Sequence, residues 1–187
     1  MIANFISLIR ILSIPFFVGT LLYYTPQKDF LRIIAFFIFL FAMLTDVIDG
    51  FIARKIDKKS EIGAILDPLS DKLLLMSAFF CLYLLKSLPL RIPLWFLILV
   101  VSRDLIILMG TGIMFLLGIR FKIVPTLWGK LTTFFQMLTV ICVLLKFKFS
   151  FLVWYIASVF TIISGVDYIR KGLKLINNAN KADINNN

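Results

Sequence analysis

No histidine occurs in the 187 residues of this chain. Its absence removes the commonest general base and the commonest neutral metal ligand from any chemistry the protein performs. Cysteine is nearly missing as well. Cys81 and Cys142 both sit inside apolar runs, where they read as small core residues rather than as a disulfide or a metal site. No serine stands in a G-x-S-x-G setting, which argues against a nucleophilic enzyme. Charge is scarce at 16% of residues, against about 25% in a soluble domain. Gly/Ser linkers, internal repeats and strand-length apolar runs are also lacking, so the chain reads as one helical domain.

What fills the chain is apolar. Hydrophobic residues make up 61% and the mean hydropathy is +1.01. Runs long enough to cross a bilayer fall at roughly 5–24, 30–51, 64–85, 92–118, 127–147 and 149–169, each near the ~20 residues a span needs. The first lacks a basic start and an A-x-A-like cleavage site, so it is expected to be a retained segment that begins as an interfacial helix. The expected fold is an all-α membrane protein, a six-transmembrane-helix bundle over residues 1–174. A polar tail, 175–187, is expected to be frayed or disordered.

The net charge of +10 would raise nucleic acid as a partner in a soluble protein, but here the positions of the charges matter more than their sum. With the N-terminus inside, Arg54, Lys55, Lys58, Lys59, Arg120, Lys122, Lys130, Arg170, Lys171, Lys174 and Lys181 fall on the inner side. Lys28, Arg32, Lys86, Arg91, Lys146 and Lys148 fall on the outer side. That bias follows the positive-inside rule, and basic inner loops suit anionic headgroups. Both termini are therefore expected on the cytoplasmic side, with membrane lipids and no nucleic acid as partners.

Six of the ten acidic residues lie between positions 46 and 71. Asp46 and Asp49 are three apart near the inner end of the second run. Asp67 and Asp71 are four apart near the inner start of the third. Either spacing puts a pair on one helix face, and an antiparallel hairpin would bring the pairs together. One aspartate deep in a span costs about 2.5–3.5 kcal/mol on insertion scales, and repulsion within a cluster raises the cost. Ion pairing with Arg54 and Lys72 is one way to neutralise them. Divalent metal is the other, and all-carboxylate hard donors without histidine point to Mg²⁺, with Mn²⁺ as a substitute. Gly50 and Ala53 leave room for a phosphate to approach the backbone, or serve close helix packing. Arg54 suits a phosphate contact or a positive-inside anchor.

The whole pattern reads D-x-x-D-G-x-x-A-R-x8-G-x3-D-x3-D, with Gly63 as the second glycine. It resembles the signature of the CDP-alcohol phosphatidyltransferase family. The resemblance implies a CDP-linked lipid donor, attack by an acceptor hydroxyl on its β-phosphorus, and release of CMP. It further implies that Asp46, Asp49 and Asp67 are metal ligands for two ions. Asp71 would be the general base, also near a metal, and Gly50, Ala53, Arg54 and Gly63 would line the CDP site. A homodimer in a bacterial inner membrane is implied in the same way.

The opening "NFISLIRILSIPFF", with Asn4, Ser7, Arg10 and Pro15, is similar to the bacterial branch of that family that makes phosphatidylglycerophosphate. "LDPLSDKLL" and "WGKLTTFFQM" are similar to it too. This implies CDP-diacylglycerol as donor and glycerol 3-phosphate as acceptor, and an acceptor bearing phosphate needs cations. Arg103 is the first candidate, because a charge that far inside an apolar run should face a cavity; Lys130 and Arg10 follow. Each has a plainer reading: Arg103 pairing with Asp104 or Asp167, Lys130 snorkelling, and Arg10 touching headgroups at the interface. The "SRD" at 102–104 and the proline of "VPTLWGK" lean toward the cardiolipin-forming branch, which uses phosphatidylglycerol. That acceptor stays open, as does an inositol phosphate. Outside the family, a cation channel or transporter could also use intramembrane aspartates, but no inverted repeat is present. Membrane prenyltransferases typically carry two separated acidic motifs, whereas this chain has one.

Overall fold

The computed structural model describes the backbone of residues 2–55, 61–88, 91–116 and 126–185. It describes side chains over 8–45, 70, 72–88, 91–110, 112 and 126–174. Six helices follow one another: α1 (Ile2–Leu22), α2 (Phe30–Lys55), α3 (Glu61–Leu84), α4 (Leu94–Leu116), α5 (Leu127–Leu144) and α6 (Ser150–Asn185). A single 3₁₀ turn, Pro26–Lys28, precedes α2. No strand occurs among the described residues. The apolar runs read from the sequence each correspond to one helix, with ends shifted by a few residues.

The last helix is the exception. α6 continues to Asn185, through the segment whose composition predicts a frayed tail. No proline follows Pro125 and Gly172 is the last glycine. Nothing in the backbone chemistry therefore stops the helix, even though asparagine is a mediocre helix former.

The chain divides into two compact units, residues 1–93 with 137–151 and residues 94–136 with 152–187. In the first, α1 packs against both α2 and α3. Its buried face is built at helical spacing: Phe17 and Leu21 on α1, Ala35, Phe39 and Ala42 on α2, and Leu74, Ala78, Phe79 and Leu82 on α3. The Phe17 and Phe39 rings meet at 5.8 Å, and the alanines let the backbones approach closely. The outward faces are apolar too. Phe37, Phe41, Leu44, Leu73, Phe80 and Leu84 are all exposed, an arrangement a water-soluble surface rarely carries. α5 and the first part of α6, Leu127–Leu144 and Ser150–Lys174, are long and apolar enough to cross a membrane.

In the second unit α5 and α6 are tied by hydrogen bonds. Thr132 Oγ1 donates to the Phe160 carbonyl at 2.9 Å, and Gln136 Nε2 donates to Thr161 Oγ1 at 3.4 Å. The Phe135 and Phe160 rings stack at 4.9 Å. Tyr168 of α6 donates its hydroxyl to the Ile107 carbonyl of α4 at 3.2 Å. Gly110 makes room for that ring, since a Cβ there would lie 3.0 Å from Tyr168 Cε1.

One ion cluster closes an end of the first unit. Asp29 accepts from Arg32 Nη2 at 2.7 Å and from Lys146 Nζ at 2.6 Å, while Arg32 Nη1 donates to the Leu144 carbonyl. Lys146 itself is left-handed, with φ of 55°. It closes α5 in a Schellman arrangement, Lys146 N bonding Val143 O at 3.0 Å and Phe147 N bonding Cys142 O at 2.9 Å. Glycine is the usual occupant of that position; here a lysine takes it and pairs with Asp29.

The hydrogen bond from Arg32, and after it that from Lys146, holds the Asp29 carboxyl well below the usual carboxylate range. A depressed pKa stabilises the folded state above the unfolded value near 4, and the benefit is lost as pH falls below that value toward the folded one. Asp29→Asn should therefore lower the melting temperature of the detergent-purified protein at pH 7. The gap from wild type should narrow as the pH is taken below about 4. A gap independent of pH between 7 and 3 would show that the carboxylate's charge is not what holds the two loops.

Candidate functional site

The acidic pattern falls on two helix ends. Asp46, Asp49, Gly50, Ala53 and Arg54 occupy the last turns of α2, and Gly63, Asp67 and Asp71 the first three turns of α3. Residues 56–60 join them, so the helix ends lie at most roughly 20 Å apart, and α1 packs against both helices. The side chains of these eight residues lie outside the described set. Elsewhere, among the described residues, no three His, Cys, Asp or Glu side chains gather as a metal ligand set.

A described neighbour of the pattern is Ser70, fully buried on α3 between Asp67 and Asp71. Arg10 of α1 donates from Nη1 to Ser70 Oγ at 3.2 Å. Arg10 is 1% exposed. That burial corrects the reading of Arg10 as an interfacial headgroup contact, because the packing of α1 on α3 takes the guanidinium inside. It lies instead beside the turn of α3 that carries the last two aspartates, in the same unit as the acidic pattern.

Arg103 and Lys130 belong to the second unit. The Arg103 side chain keeps 11% of its surface exposed. Nη1 donates to Asp104 Oδ1 at 2.7 Å and Nη2 donates to Ser164 Oγ at 2.7 Å. Of the two carboxylates available in sequence, Asp104 is thus the partner. Asp167 takes Lys171 at 2.8 Å instead, since the two are one helical turn apart. The Arg103 Nε is buried with no hydrogen-bond partner among the described residues.

The guanidinium abuts the start of α5. A Cβ at Gly129 would lie 3.4 Å from Arg103 Nη2. Thr126 caps that helix, its Oγ1 accepting from Gly129 N at 3.1 Å. A part-buried guanidinium therefore sits beside a helix N-terminus, an arrangement of positive character that favours an anion. Lys130, which is exposed, is the next residue along that helix. Sequence reasoning found both cations but missed Ser164, Gly129 and Gly165. Small residues at helical spacing look like ordinary close packing until the register of three helices is known.

The chain's relatives give this arrangement a context. The family model for CDP-alcohol phosphatidyltransferases matches residues 1–163. A "Probable phosphatidylglycerophosphate synthase" from Mycobacterium tuberculosis is 33% identical over 179 residues, covering 92% of this chain and 82% of that one. The "CDP-diacylglycerol--glycerol-3-phosphate 3-phosphatidyltransferase" of Aquifex aeolicus is 34% identical over 185 residues, covering 94% and 97%. A fission yeast protein (Schizosaccharomyces pombe), a "Cardiolipin synthase (CMP-forming) / mitochondrial hydrolase fusion protein", is 34% identical over 122 residues, 65% of this chain and 18% of that one. The chain belongs to the CDP-alcohol phosphatidyltransferase family. It is a phosphatidyltransferase, and the acidic pattern across α2 and α3 is its candidate active site.

Proposed function

We propose that the protein makes phosphatidylglycerophosphate, transferring the phosphatidyl group of CDP-diacylglycerol to glycerol 3-phosphate with release of CMP. The observation that carries this reading is the match along nearly the whole chain to relatives named for that reaction. The eight-position acidic pattern supplies its chemistry. Six membrane spans, an active site at the cytoplasmic side of a bacterial inner membrane, cytoplasmic termini and a homodimer complete the proposal. Supporting the spans are the apolar outward faces of the helices and the bias of Lys and Arg toward one side. The transferase domain is residues 1–174, and the tail from 175 is a helical extension.

Asp46, Asp49, Asp67 and Asp71 would hold two Mg²⁺, or Mn²⁺. The donor set fits: carboxylate oxygens are hard ligands, and no histidine in the chain competes for a softer metal. Bound there, the ions would neutralise charge on the pyrophosphate. Gly50, Ala53 and Gly63 leave the backbone open to CDP, and Arg54 binds one of its phosphates. Arg103 and Lys130, with the start of α5, bind the phosphate of the acceptor. Arg10 is proposed for the same phosphate, its burial beside Ser70 placing it next to the α3 turn. Asp71 takes the proton of the attacking hydroxyl. The hydroxyl oxygen forms a bond to the β-phosphorus, the phosphoanhydride bond to that phosphorus breaks, and CMP departs with the electron pair.

Cardiolipin synthesis is the second reading, favoured by the fission yeast relative and by the aspartate that follows Arg103. The two separate in one assay. Purified protein in detergent with CDP-diacylglycerol and Mg²⁺ should release CMP when glycerol 3-phosphate is added. Phosphatidylglycerol, whose phosphate is a diester carrying one charge, or inositol 1-phosphate, whose ring is bulkier than glycerol, should give at least ~10-fold less. Release with phosphatidylglycerol alone would move the chain to the cardiolipin reaction, and a failure to release CMP with any of the three acceptors would sink the proposed reaction.

A further inference from the structure

An arginine side chain has several rotatable bonds, yet its planar fork recognises phosphate well only when its plane is fixed. The second unit fixes Arg103 from three helices. Asp104 accepts one N–H of Nη1 on α4 itself, at 2.7 Å, and Ser164 Oγ accepts one of Nη2 from α6, at 2.7 Å. Glycines border the side chain on the other helices. A Cβ at Gly129 would come to 3.4 Å of Nη2, and one at Gly165 to 3.8 Å of Cγ. α6 is itself pinned to α4 one turn beyond Ser164, through Tyr168 and the Ile107 carbonyl.

Of the five guanidinium N–H groups, these two contacts use two. Among the described residues, Nε is buried and without a partner, and the second hydrogens of both Nη atoms are left to give. Asp104 supplies the negative charge that lets a guanidinium sit this far from water. A second carboxylate at position 164 would complete the neutralisation and compete with any incoming phosphate. A serine hydroxyl orients the fork without adding charge.

We infer that Ser164 is a positioning residue for acceptor binding, turning the Arg103 guanidinium so that its remaining donors face the phosphate of glycerol 3-phosphate. The inference rests on the assignment of Arg103 to that phosphate, and the experiment separates the two. Initial rates of CMP release are measured with full-length protein in detergent, CDP-diacylglycerol saturating and glycerol 3-phosphate varied. Ser164→Ala should raise the KM for glycerol 3-phosphate about 5–10-fold, the scale of one ordinary hydrogen bond, because the hydroxyl acts on the phosphate only through Arg103. The kcat, the KM for CDP-diacylglycerol and the melting temperature should stay at wild-type values. Ser164→Thr, which keeps the hydroxyl, should bind glycerol 3-phosphate like the wild type.

Arg103→Gln should raise the same KM further, and adding Ser164→Ala to it should change nothing more. An unchanged KM in Arg103→Gln would overturn the Arg103 assignment and the inference together. A raised KM in Arg103→Gln with none in Ser164→Ala would overturn the role of Ser164 and leave the assignment standing. Equal losses in the Ala and Thr variants, or a fall in kcat and melting temperature without a KM change, would mean that Ser164 only packs the helices.

Discussion

Asp71→Asn should lower turnover by about 10²–10⁴-fold at saturating CDP-diacylglycerol and glycerol 3-phosphate, the range expected when a general base is removed. The substitution keeps the shape of the side chain and one carbonyl oxygen but cannot accept the hydroxyl proton. Its effect on folding should be small. Asp71 lies on the third turn of α3, and its neighbour Ser70 is already buried and hydrogen-bonded to Arg10, so the turn is anchored independently of the aspartate. The loss should fall on kcat, with the KM for glycerol 3-phosphate within a few-fold of wild type. Because the same carboxylate is proposed to touch a metal, the assay is repeated across a Mg²⁺ titration. Turnover within ten-fold of wild type at ordinary Mg²⁺ would remove Asp71 from the chemistry. Full recovery at high Mg²⁺ would make it a ligand and not the base.

How much of this was legible in the sequence differs from element to element. The helices were, because apolar runs near twenty residues leave few other structures in a chain so poor in charge. The end of α6 was not. Asparagine-rich composition lowers the expectation of order, but a helix continues until something in the backbone stops it, and neither proline nor glycine does so after Gly172. Arg103 stood out as a charge inside an apolar run, yet its partner did not, since Asp104 and Asp167 were equally available on paper. Tertiary placement chose Asp104 and left Asp167 to its own helix and Lys171. Arg10 was open to two readings, an acceptor-phosphate cation or a headgroup contact, and only the packing of α1 on α3 reveals a buried guanidinium. Ser164 carried no signal of its own. A hydroxyl in a bundle helix is ordinary, and its meaning comes from the guanidinium 2.7 Å away.

Chelation should abolish CMP release, and Mg²⁺ or Mn²⁺ should restore it where Zn²⁺ does not. The reason lies in the charge of the pattern before any chemistry is considered. Four aspartates in pairs at three- and four-residue spacing, at the end of α2 and the start of α3, would repel one another if an antiparallel hairpin brings the pairs together, and a membrane setting would raise the cost. A folded state that binds the neutralising ions gains stability by mass action, about 2.7 kcal/mol when free metal is at a hundred times its dissociation constant. The melting temperature of the detergent-solubilised protein should therefore rise with Mg²⁺ and fall with chelator, with no substrate present. Asp49→Asn should shrink that response by removing one hard ligand, whereas Asp29→Asn, in the ion cluster at the end of α5, should leave it intact. Activity and melting temperature that both ignore chelator would show that the aspartates are neutralised by Arg54 and Lys72 instead, and the donor set would then have no metal to hold. A melting temperature that follows Mg²⁺ while activity does not would keep the site and remove it from the reaction. The two readouts together separate what the carboxylates bind from what they do.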